Sequence, residues 1–388
     1  MSNGKPKKKK GIIITIIIVL LAAIGVGGFV VWKKLGTYKL KELDSSKVKV
    51  NKVKEQTKKA YKGYTTLALF GLDNREKGQL DKGLSDVVML LSINNDSKKI
   101  QMISVYRDTY LNISNTSVPN FTKCNAAYAY GGAEQAVSML NKNLDLDINN
   151  YVTFDFSAVA KAIDILGGVS INISDQEELK WLNKYIDHTN GILDTHAPQI
   201  PSIGKHKLNG VQSVAYARIR YTSGWDYKRA QRQRIVFTQM ISKVKKANFQ
   251  QLQKLLNQVF PTIQTGLKKT ELLNMVYTMA SYHLSQSRGF PFYKISDKAN
   301  GYAVIPCDLE KNVKALHNEL YGNKEYKMSE IVSQYNRLII AKTGKTALSE
   351  EEDEFSTADG QNTNKKINQN KNKTTATLKK KVIVRARR

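Results

Sequence analysis

Apolar and polar positions follow several different periods along this chain. The first pattern is an uncharged run from Gly11 to Trp32, broken only by Thr15. As a helix, its 22 residues would span roughly 33 Å at ~1.5 Å per residue, which matches a bilayer core. A cleavable leader has a shorter apolar core and a small-residue exit. Here the run ends Phe29-Val30-Val31-Trp32, and Trp suits a membrane interface. The pattern predicts a retained, single-pass signal anchor over 11–32. Lys5 and Lys7–Lys10 assign residues 1–10 to the cytoplasm, although Lys33, Lys34, Lys39 and Lys41 dilute the bias. No second run of comparable length follows, so the remainder is expected outside the cell.

Residues 33–63 are polar and Lys-rich and read as a stalk. The pattern then changes. Thr66–Phe70 is a short apolar strand ending at Gly71, Asp86–Ile93 a second, and Lys99–Val105 a third, with alternation. Asn94-Asn95-Asp96-Ser97 carries turn chemistry, so the second and third strands are expected to form a hairpin. Helical spacing follows over 133–143, after Gly131-Gly132, and over 157–166, closed by Gly167-Gly168. Val169–Ile173 reads as a strand, 226–247 as a long helix opened by an acidic residue, and 270–284 as a later helix. A strand over 302–305 and a helix over 309–320 complete the ordered part. Strands alternating with helices argue an α/β sandwich over residues 64–325. Residues 326–344 read as a C-terminal extension. Residues 345–388 hold an acidic block at Glu350–Glu354, are dominated after Phe355 by Asn, Lys and Thr with no further aromatic residue, and read as a disordered basic tail.

Composition changes this picture in one respect. The formal charge is +28, but residues 1–10 contribute five Lys and residues 361–388 seven Lys and three Arg, with no acid in either. More than half of the excess therefore sits at the ends, where it would meet headgroups or an acidic polymer. The outward topology argues against nucleic acid as a partner. Cys124 and Cys307 stand in no CxxC pattern, and the five histidines show no i, i+4 pair, so neither a disulfide framework nor a zinc site is expected.

Two groups of residues carry candidate chemistry. Asp73 follows the first strand, Asp86 begins the second, and Arg107 follows the third. If these strands are adjacent and antiparallel, all three residues meet at one sheet edge. There, two carboxylates suit a hard cation such as Mg²⁺ and an arginine suits a phosphate; the alternative is that strand ends are simply polar. The second group is more telling. Only twelve of the 61 basic residues are Arg, and five of these are Arg218, Arg220, Arg229, Arg232 and Arg234. Arg presents a planar fork that holds phosphate oxygens bidentately, which Lys does not. Arg218 and Arg220 would share a face if 216–220 is a strand. Arg229 and Gln233 share a helix face, with Arg232 beside them, and that face continues into Val236 and Met240. A polar end on an apolar face suits a phosphorylated head with a greasy tail; the alternative is a solvated helix end, which does not explain Arg over Lys. Thr343-Gly344-Lys345-Thr346 imitates a nucleotide loop but has Ile339 where the first Gly belongs.

In chain order stand Ser85–Leu90, Val105-Tyr106-Arg107-Asp108-Thr109, Asn125–Gly132, Asp164–Val169, Leu208-Asn209-Gly210 with Tyr216–Arg220, and Asp226–Gln233. This sequence of motifs resembles the LytR–CpsA–Psr family of cell-wall glycopolymer ligases, in detail over about 64–245. The resemblance implies an α-β-α sandwich with a mixed central sheet that holds a polyprenyl-pyrophosphate lipid. It implies Mg²⁺ at Asp73 and Asp86, and Arg107, Arg218, Arg220, Arg229 and Gln233 around the pyrophosphate; helix spacing adds Arg232, and Arg75 is a further binding candidate. It also implies transfer of teichoic acid, capsule or a related polymer to the 6-hydroxyl of muramic acid in peptidoglycan, at the surface of a Gram-positive-type bacterium. The base that takes the acceptor's proton is Asp73 or Asp226. Two positions depart from the pattern. Leu84 stands where the family commonly has Arg, which leaves Arg75 or a nearby Lys to compensate, and Tyr106 stands where it has Pro. A binding or regulatory protein that holds wall lipid without chemistry is the alternative reading.

Overall fold

The near-continuous apolar runs at 64–72, 85–94 and 99–105 are those of strands buried on both faces. The computed structural model describes residues 39–346 apart from 74–77, 223, 269, 272–274, 276–277 and 299. The expected anchor over 11–32, the expected cytoplasmic segment 1–10, Arg75 and the residues beyond 346 lie outside the described residues. In chain order the elements are β1 (Lys39–Leu40), α1 (Glu55–Tyr61), β2 (Tyr64–Leu72), β3 (Ser85–Asn94), β4 (Lys99–Val105), β5 (Tyr110–Asn112), β6 (Phe121–Lys123) and α2 (Ala126–Leu144). Next come β7 (Asn150–Asp155), α3 (Phe156–Ile165), β8 (Val169–Ile173), α4 (Gln176–Leu193), β9 (Gly204–Leu208), α5 (Gly210–Arg218), α6 (Trp225–Val244) and α7 (Phe249–Gln258). The chain ends with β10 (Gln264–Thr265), β11 (His283–Leu284), β12 (Arg288–Phe290), β13 (Lys294–Asp297), β14 (Ala303–Pro306), α8 (Leu309–Tyr321) and α9 (Glu330–Thr343).

Among the described residues, eight strands form one sheet in the order β1-β10-β7-β2-β3-β4-β11, with β12 also beside β4. The sheet is mixed. β2, β3 and β4 are antiparallel neighbours, and β7 runs parallel to β2, as the crossover through α2 requires. Side chains alternate between two cores. Ala68, Phe70, Leu72, Val88, Leu90, Ile103 and Val105 pack with α2, α8 and α9 on one face. Leu67, Leu69, Val87, Met89, Leu91, Ile100 and Met102 pack with Leu256 of α7 and Phe237 of α6 on the other. A third core lies to one side, where the β8–β9 hairpin, α4 and α5 close on Val236 of α6. α6 thus stands between the sheet and this lateral unit.

Several expectations need correction. Residues 216–220 are not a strand: Gly210–Arg218 is helical, set by an Asn209 capping box with Gln212. Gly210 is required there, because a Cβ would lie 2.0 Å from the Ala160 carbonyl oxygen of α3. The described end of the helix expected over 270–284 is instead β11, parallel to β4. Residues 39–63 of the expected stalk lie against the domain: Leu43, Val48 and Tyr61 pack on the main core, and Asn51 donates to buried Asp145 at 2.6 Å. Their few apolar residues are spaced too irregularly to give a period. The extension over 326–344 likewise docks, burying Val332, Tyr335 and Ile339. Cys124 and Cys307 are free and buried.

Candidate active site

The β2–β3–β4 meander brings Asp73, Asp86 and Arg107 to one edge, because Val88 and Met89 of β3 pair with Phe70 and Leu69 on one side and Met89 with Ser104 on the other. Arg107 Nη1 donates to Asp86 Oδ1 at 2.6 Å. The backbone that bears Arg107 is held by the segment after β6. Asn125 N donates to Arg107 O at 3.0 Å, and Ser85 N to Asn125 O at 3.3 Å.

The same edge receives the first two turns of α6. Asp226 sits in the first turn, where the helix dipole favours a carboxylate. Arg229 and Gln233 follow at i+3 and i+7 on one face. Arg229 Nη2 reaches Asp226 Oδ1 at 2.8 Å and its Nη1 lies 3.6 Å from Asp86 Oδ2. Gln233 Nε2 lies 3.5 Å from the Asp86 carbonyl. Arg220, in the turn between α5 and α6, is 3.4 Å from Asp226 Oδ2. Arg218 closes α5 and is 3.7 Å from Asp73 Oδ2. The four arginines and three aspartates read from the sequence are therefore gathered at one edge. Two further residues join them. Asp108 lies 3.7 Å from Arg107 Nε and 3.5 Å from Lys123 Nζ. Only the adjacency of Asp108 to Arg107 hinted at this; Lys123 arrives through the β5–β6 pairing, which has no periodic signal.

Arg232 and the apolar continuation of α6 fall elsewhere. Arg232 turns from the edge and is consumed by Glu178 Oε1 of α4 at 2.8 Å, Thr222 Oγ1 at 2.9 Å and the Ile219 carbonyl at 3.3 Å. A carboxylate on α4, an element without a clear signal in the sequence, decides its direction. The face of Arg229 and Gln233 runs on to Phe237, while Val236 packs in the lateral core. Arg234 is buried and lines a separate cavity of about 800 Å³ between α6 and the β4–β12 edge. Tyr106, the departure from Pro, is buried against Tyr227 with ring centroids 4.8 Å apart. Gly289 makes room for it, since a Cβ there would meet the Tyr106 hydroxyl at 2.1 Å. Leu84 is 51% exposed at the rim.

The electrostatics favour an added anion. Burial and the neighbouring Arg107 pull Arg229 below the usual arginine range, against Asp86 and Asp226. For Asp226, burial pushes upward but Arg229, Arg107 and Arg220 prevail and hold it below the usual carboxylate range. Asp108 is raised, by burial first and by the charge of Asp226, despite Arg107. Arg107 Nε and Asp226 Oδ1 are buried without a hydrogen bond of acceptable geometry, although the two atoms are 3.7 Å apart. A site that carries mutually repelling guanidiniums and an unsatisfied N–H is built to receive oxygen acceptors. Carboxylates of Asp73 and Asp86 suit a hard cation that completes its shell from phosphate and water. No cluster of three or more His, Cys, Asp or Glu suited to a metal exists among the described residues, so an all-protein cage is not what they offer.

Comparison with known proteins finds relatives of this chain. The polyisoprenyl-teichoic acid–peptidoglycan teichoic acid transferase TagU of Enterococcus faecalis is 30% identical over 271 residues, 68% of this chain and 80% of that protein. The solved structure of "TagT bound to LI-WTA" matches with a TM-score of 0.57 at 23% identity, over 73% of this chain and 98% of the other. That of "LytR-CPS2A-psr family protein YwtF (TagT) with bound octaprenyl pyrophosphate lipid" matches with a TM-score of 0.53 at 23% identity, over 72% and 99%. At that identity the two structures speak to the fold. The sequence family matches over residues 32–317, most of the chain, and this protein belongs to the LytR_cpsA_psr family.

Proposed function

We propose that this protein is a membrane-anchored, extracytoplasmic phosphotransferase that moves a glycopolymer from a polyprenyl-pyrophosphate carrier to peptidoglycan. The observation that carries the reading is the arginine cluster itself: Arg107, Arg218, Arg220 and Arg229 converge on Asp73, Asp86 and Asp226 at one sheet edge. The relative TagU carries the name of such a transferase, and the related TagT structure holds octaprenyl pyrophosphate. Apolar residues of the sheet next to the cluster, Leu67, Leu69, Val87 and Met89, are buried under Phe237 and Phe260, so a polyprenyl tail would reach them only if α6 and α7 part from the sheet. The basic ends and the apolar run at 11–32 support the membrane and anionic wall polymer as partners, with the N-terminus inside.

The chemistry is in-line transfer at the phosphorus that bears the sugar. The acceptor hydroxyl forms the new O–P bond, the bridging P–O bond breaks, and the lipid phosphate leaves. Such reactions depend on positioning and on neutralising charge over the phosphoryl oxygens. Arg107 and Arg229, fixed by Asp86, hold the pyrophosphate, and Arg218 and Arg220 approach from the α5–α6 turn. Mg²⁺ at Asp73 and Asp86, when bound, would neutralise phosphate charge further. Asp73 is the better candidate base where it is not committed to the metal. Its carboxylate is 39% exposed and meets Arg218 only at 3.7 Å, whereas three guanidiniums depress the basicity of Asp226.

The test is release of polyprenyl monophosphate from a lipid-linked disaccharide when peptidoglycan oligomer and Mg²⁺ are supplied. Wild type turns over, and Asp86→Asn loses at least about a hundredfold, the effect of about 3 kcal/mol in the transition state. Absence of turnover by wild type at any Mg²⁺ concentration, with lipid bound, would favour the binding-only reading, to which exposed Leu84 in place of an arginine lends some support.

A further inference from the structure

Helix α4 turns one stripe toward the arginine cluster. Glu178, Trp181, Tyr185 and Thr189 are spaced three, four and four residues apart, which puts them on one helix face. Both ends of the stripe are pinned to arginines. Glu178 accepts from Arg232 at 2.8 Å, and Thr189 Oγ1 accepts from Arg218 Nη1 at 3.1 Å. Arg232 lies outside the cluster, so the end of the stripe that adjoins the cluster is the one with Thr189 and Tyr185, the latter 5.9 Å from the Arg218 guanidinium. Leu182 and Ile186 of the adjacent face are fully buried and fill the lateral core. Trp181 and Tyr185 only rest against that core and keep part of their surface open.

The rings stand in two groups beside the α5–α6 turn and together make a wall. Tyr185 lies 5.9 Å from the Arg218 guanidinium, whose other neighbour is the Phe156 ring at 4.6 Å. Trp181 meets Tyr221 with centroids 5.0 Å apart and a 37° tilt. Tyr221 immediately follows Arg220 and is 49% exposed. Lys184 Nζ sits 4.8 Å from the Trp181 ring centre. The wall thus leads from Arg218 and Arg220 to the open surface, and Trp181, Tyr185 and Tyr221 each join a flat apolar face to a polar edge.

That combination matches a pyranose ring, which has an apolar C–H face and a hydroxyl rim. In a sugar-linked pyrophosphate the first pyranose is bonded to the phosphate, so a stacking surface for it must begin within a few ångströms of the phosphate clamp. We propose that Trp181, Tyr185 and Tyr221 are the sugar subsite of this protein, a stacking platform for a pyranose next to the phosphate held by Arg218 and Arg220. The proposal rests on the phosphate reading of the cluster. The pyranose belongs either to the donor polymer or to the glycan strand of the acceptor, and the chemistry of the platform is the same for both.

The test uses the full chain in detergent and three probes: bare polyprenyl pyrophosphate, the same lipid carrying a disaccharide, and a soluble peptidoglycan glycan oligomer. The variants are Tyr221→Ala, at an exposed turn, Trp181→Ala, and Trp181→Phe as the conservative control. Uncovering one sugar face of about 50–60 Å² should weaken binding roughly tenfold. The expected result is that Tyr221→Ala and Trp181→Ala bind bare lipid as wild type does but lose roughly tenfold for one sugar-bearing probe, with Trp181→Phe recovering most of it. A loss confined to the lipid-linked disaccharide assigns the platform to the donor; a loss confined to the glycan oligomer assigns it to the acceptor. Equal affinity of wild type and both alanine variants for all sugar probes overturns the proposal. So does a loss of binding to anionic phospholipid vesicles with sugar affinity intact, which would make the wall a membrane contact. A wild type that ignores bare lipid but binds the oligomer through Trp181 refutes the phosphate reading and leaves the platform standing.

Discussion

Replacing Arg232 with alanine should unsettle the fold around the site rather than remove a phosphate ligand. Its guanidinium makes three contacts, to Glu178, Thr222 and Ile219, and the two ionic side chains are only 4% and 8% exposed. With Arg232 gone, the Glu178 carboxylate stays buried with Ser174 as its remaining hydrogen-bond donor, and the 219–222 turn loses its tie to α6. Removing one partner of such a pair costs about 3–5 kcal/mol. At roughly 2–4 °C per kcal/mol for domains somewhat smaller than this one, the Tm should fall by at least about 5 °C. The double variant Arg232→Met with Glu178→Leu should recover most of that loss, because a packed apolar pair often equals a buried ion pair. It should also keep transfer activity, because Arg232 contacts none of the aspartates at the edge. The assay is thermal melting beside binding of polyprenyl pyrophosphate. An Arg232→Ala protein with the wild-type Tm and no affinity for pyrophosphate would refute the reasoning and restore Arg232 to the binding site.

Arg229→Lys should lower transfer roughly tenfold to a hundredfold, since it keeps the charge but loses the fork that spans Asp86 and Asp226; Arg234→Lys, lining the separate cavity, should change the rate little, and equal losses in both would reduce the cluster to a diffuse positive surface. Deleting residues 347–388 should leave the melting temperature and transfer of a soluble substrate intact, while a deletion from residue 326 should unfold the domain, because Val332, Tyr335 and Ile339 belong to the main core; a folded 1–325 protein in circular dichroism would contradict this. His317, fully buried and stacked 3.8 Å from Tyr326, has its pKa lowered to about 4 by burial, against the Leu144 carbonyl and Asp145. The unfolded chain therefore binds this proton first, so stability is complete above about pH 6.5 and falls by up to roughly 3 kcal/mol as the pH drops to about 4. Denaturant melts of wild type and His317→Gln across that window should diverge, and parallel curves would show that His317 does not titrate on unfolding.

The parts of the fold that could be read from the sequence are those whose burial has a local period. β2, β3 and β4 announce themselves as apolar runs, and α8 as a helix with Leu309, Val313, Leu316 and Leu320 inward. α4 was legible in principle, with Asp175 capping the Glu178 N–H and Leu179, Leu182 and Ile186 at helical spacing, but its polar residues outnumber them. Segments 39–63 and 330–343 were harder. Their order comes from Asp145, which accepts from Asn51, Ser329 and Tyr326, residues far apart in the chain that no window could connect.

The site divides along the same line. Arg over Lys in a Lys-rich chain signals a chemical need, and spacing along α6 correctly paired Arg229 with Gln233. Spacing could not separate Arg229 from Arg232, since both sit in the second turn of α6 and differ only in what other elements offer them: Asp86 from the sheet for one, Glu178 from α4 for the other. The aspartates have a matching logic. Four buried or half-buried guanidiniums repel one another, and without Asp73 beside Arg218 and Asp86, Asp108 and Asp226 beside the other three they would not stay assembled in the absence of substrate. These carboxylates hold the arginines in place at distances of 2.6–3.7 Å without satisfying every donor, since Arg107 Nε has no hydrogen bond. On the proposed reading an arriving pyrophosphate takes the vacant positions and finds the forks already aimed, so that little of its binding energy is spent on ordering side chains.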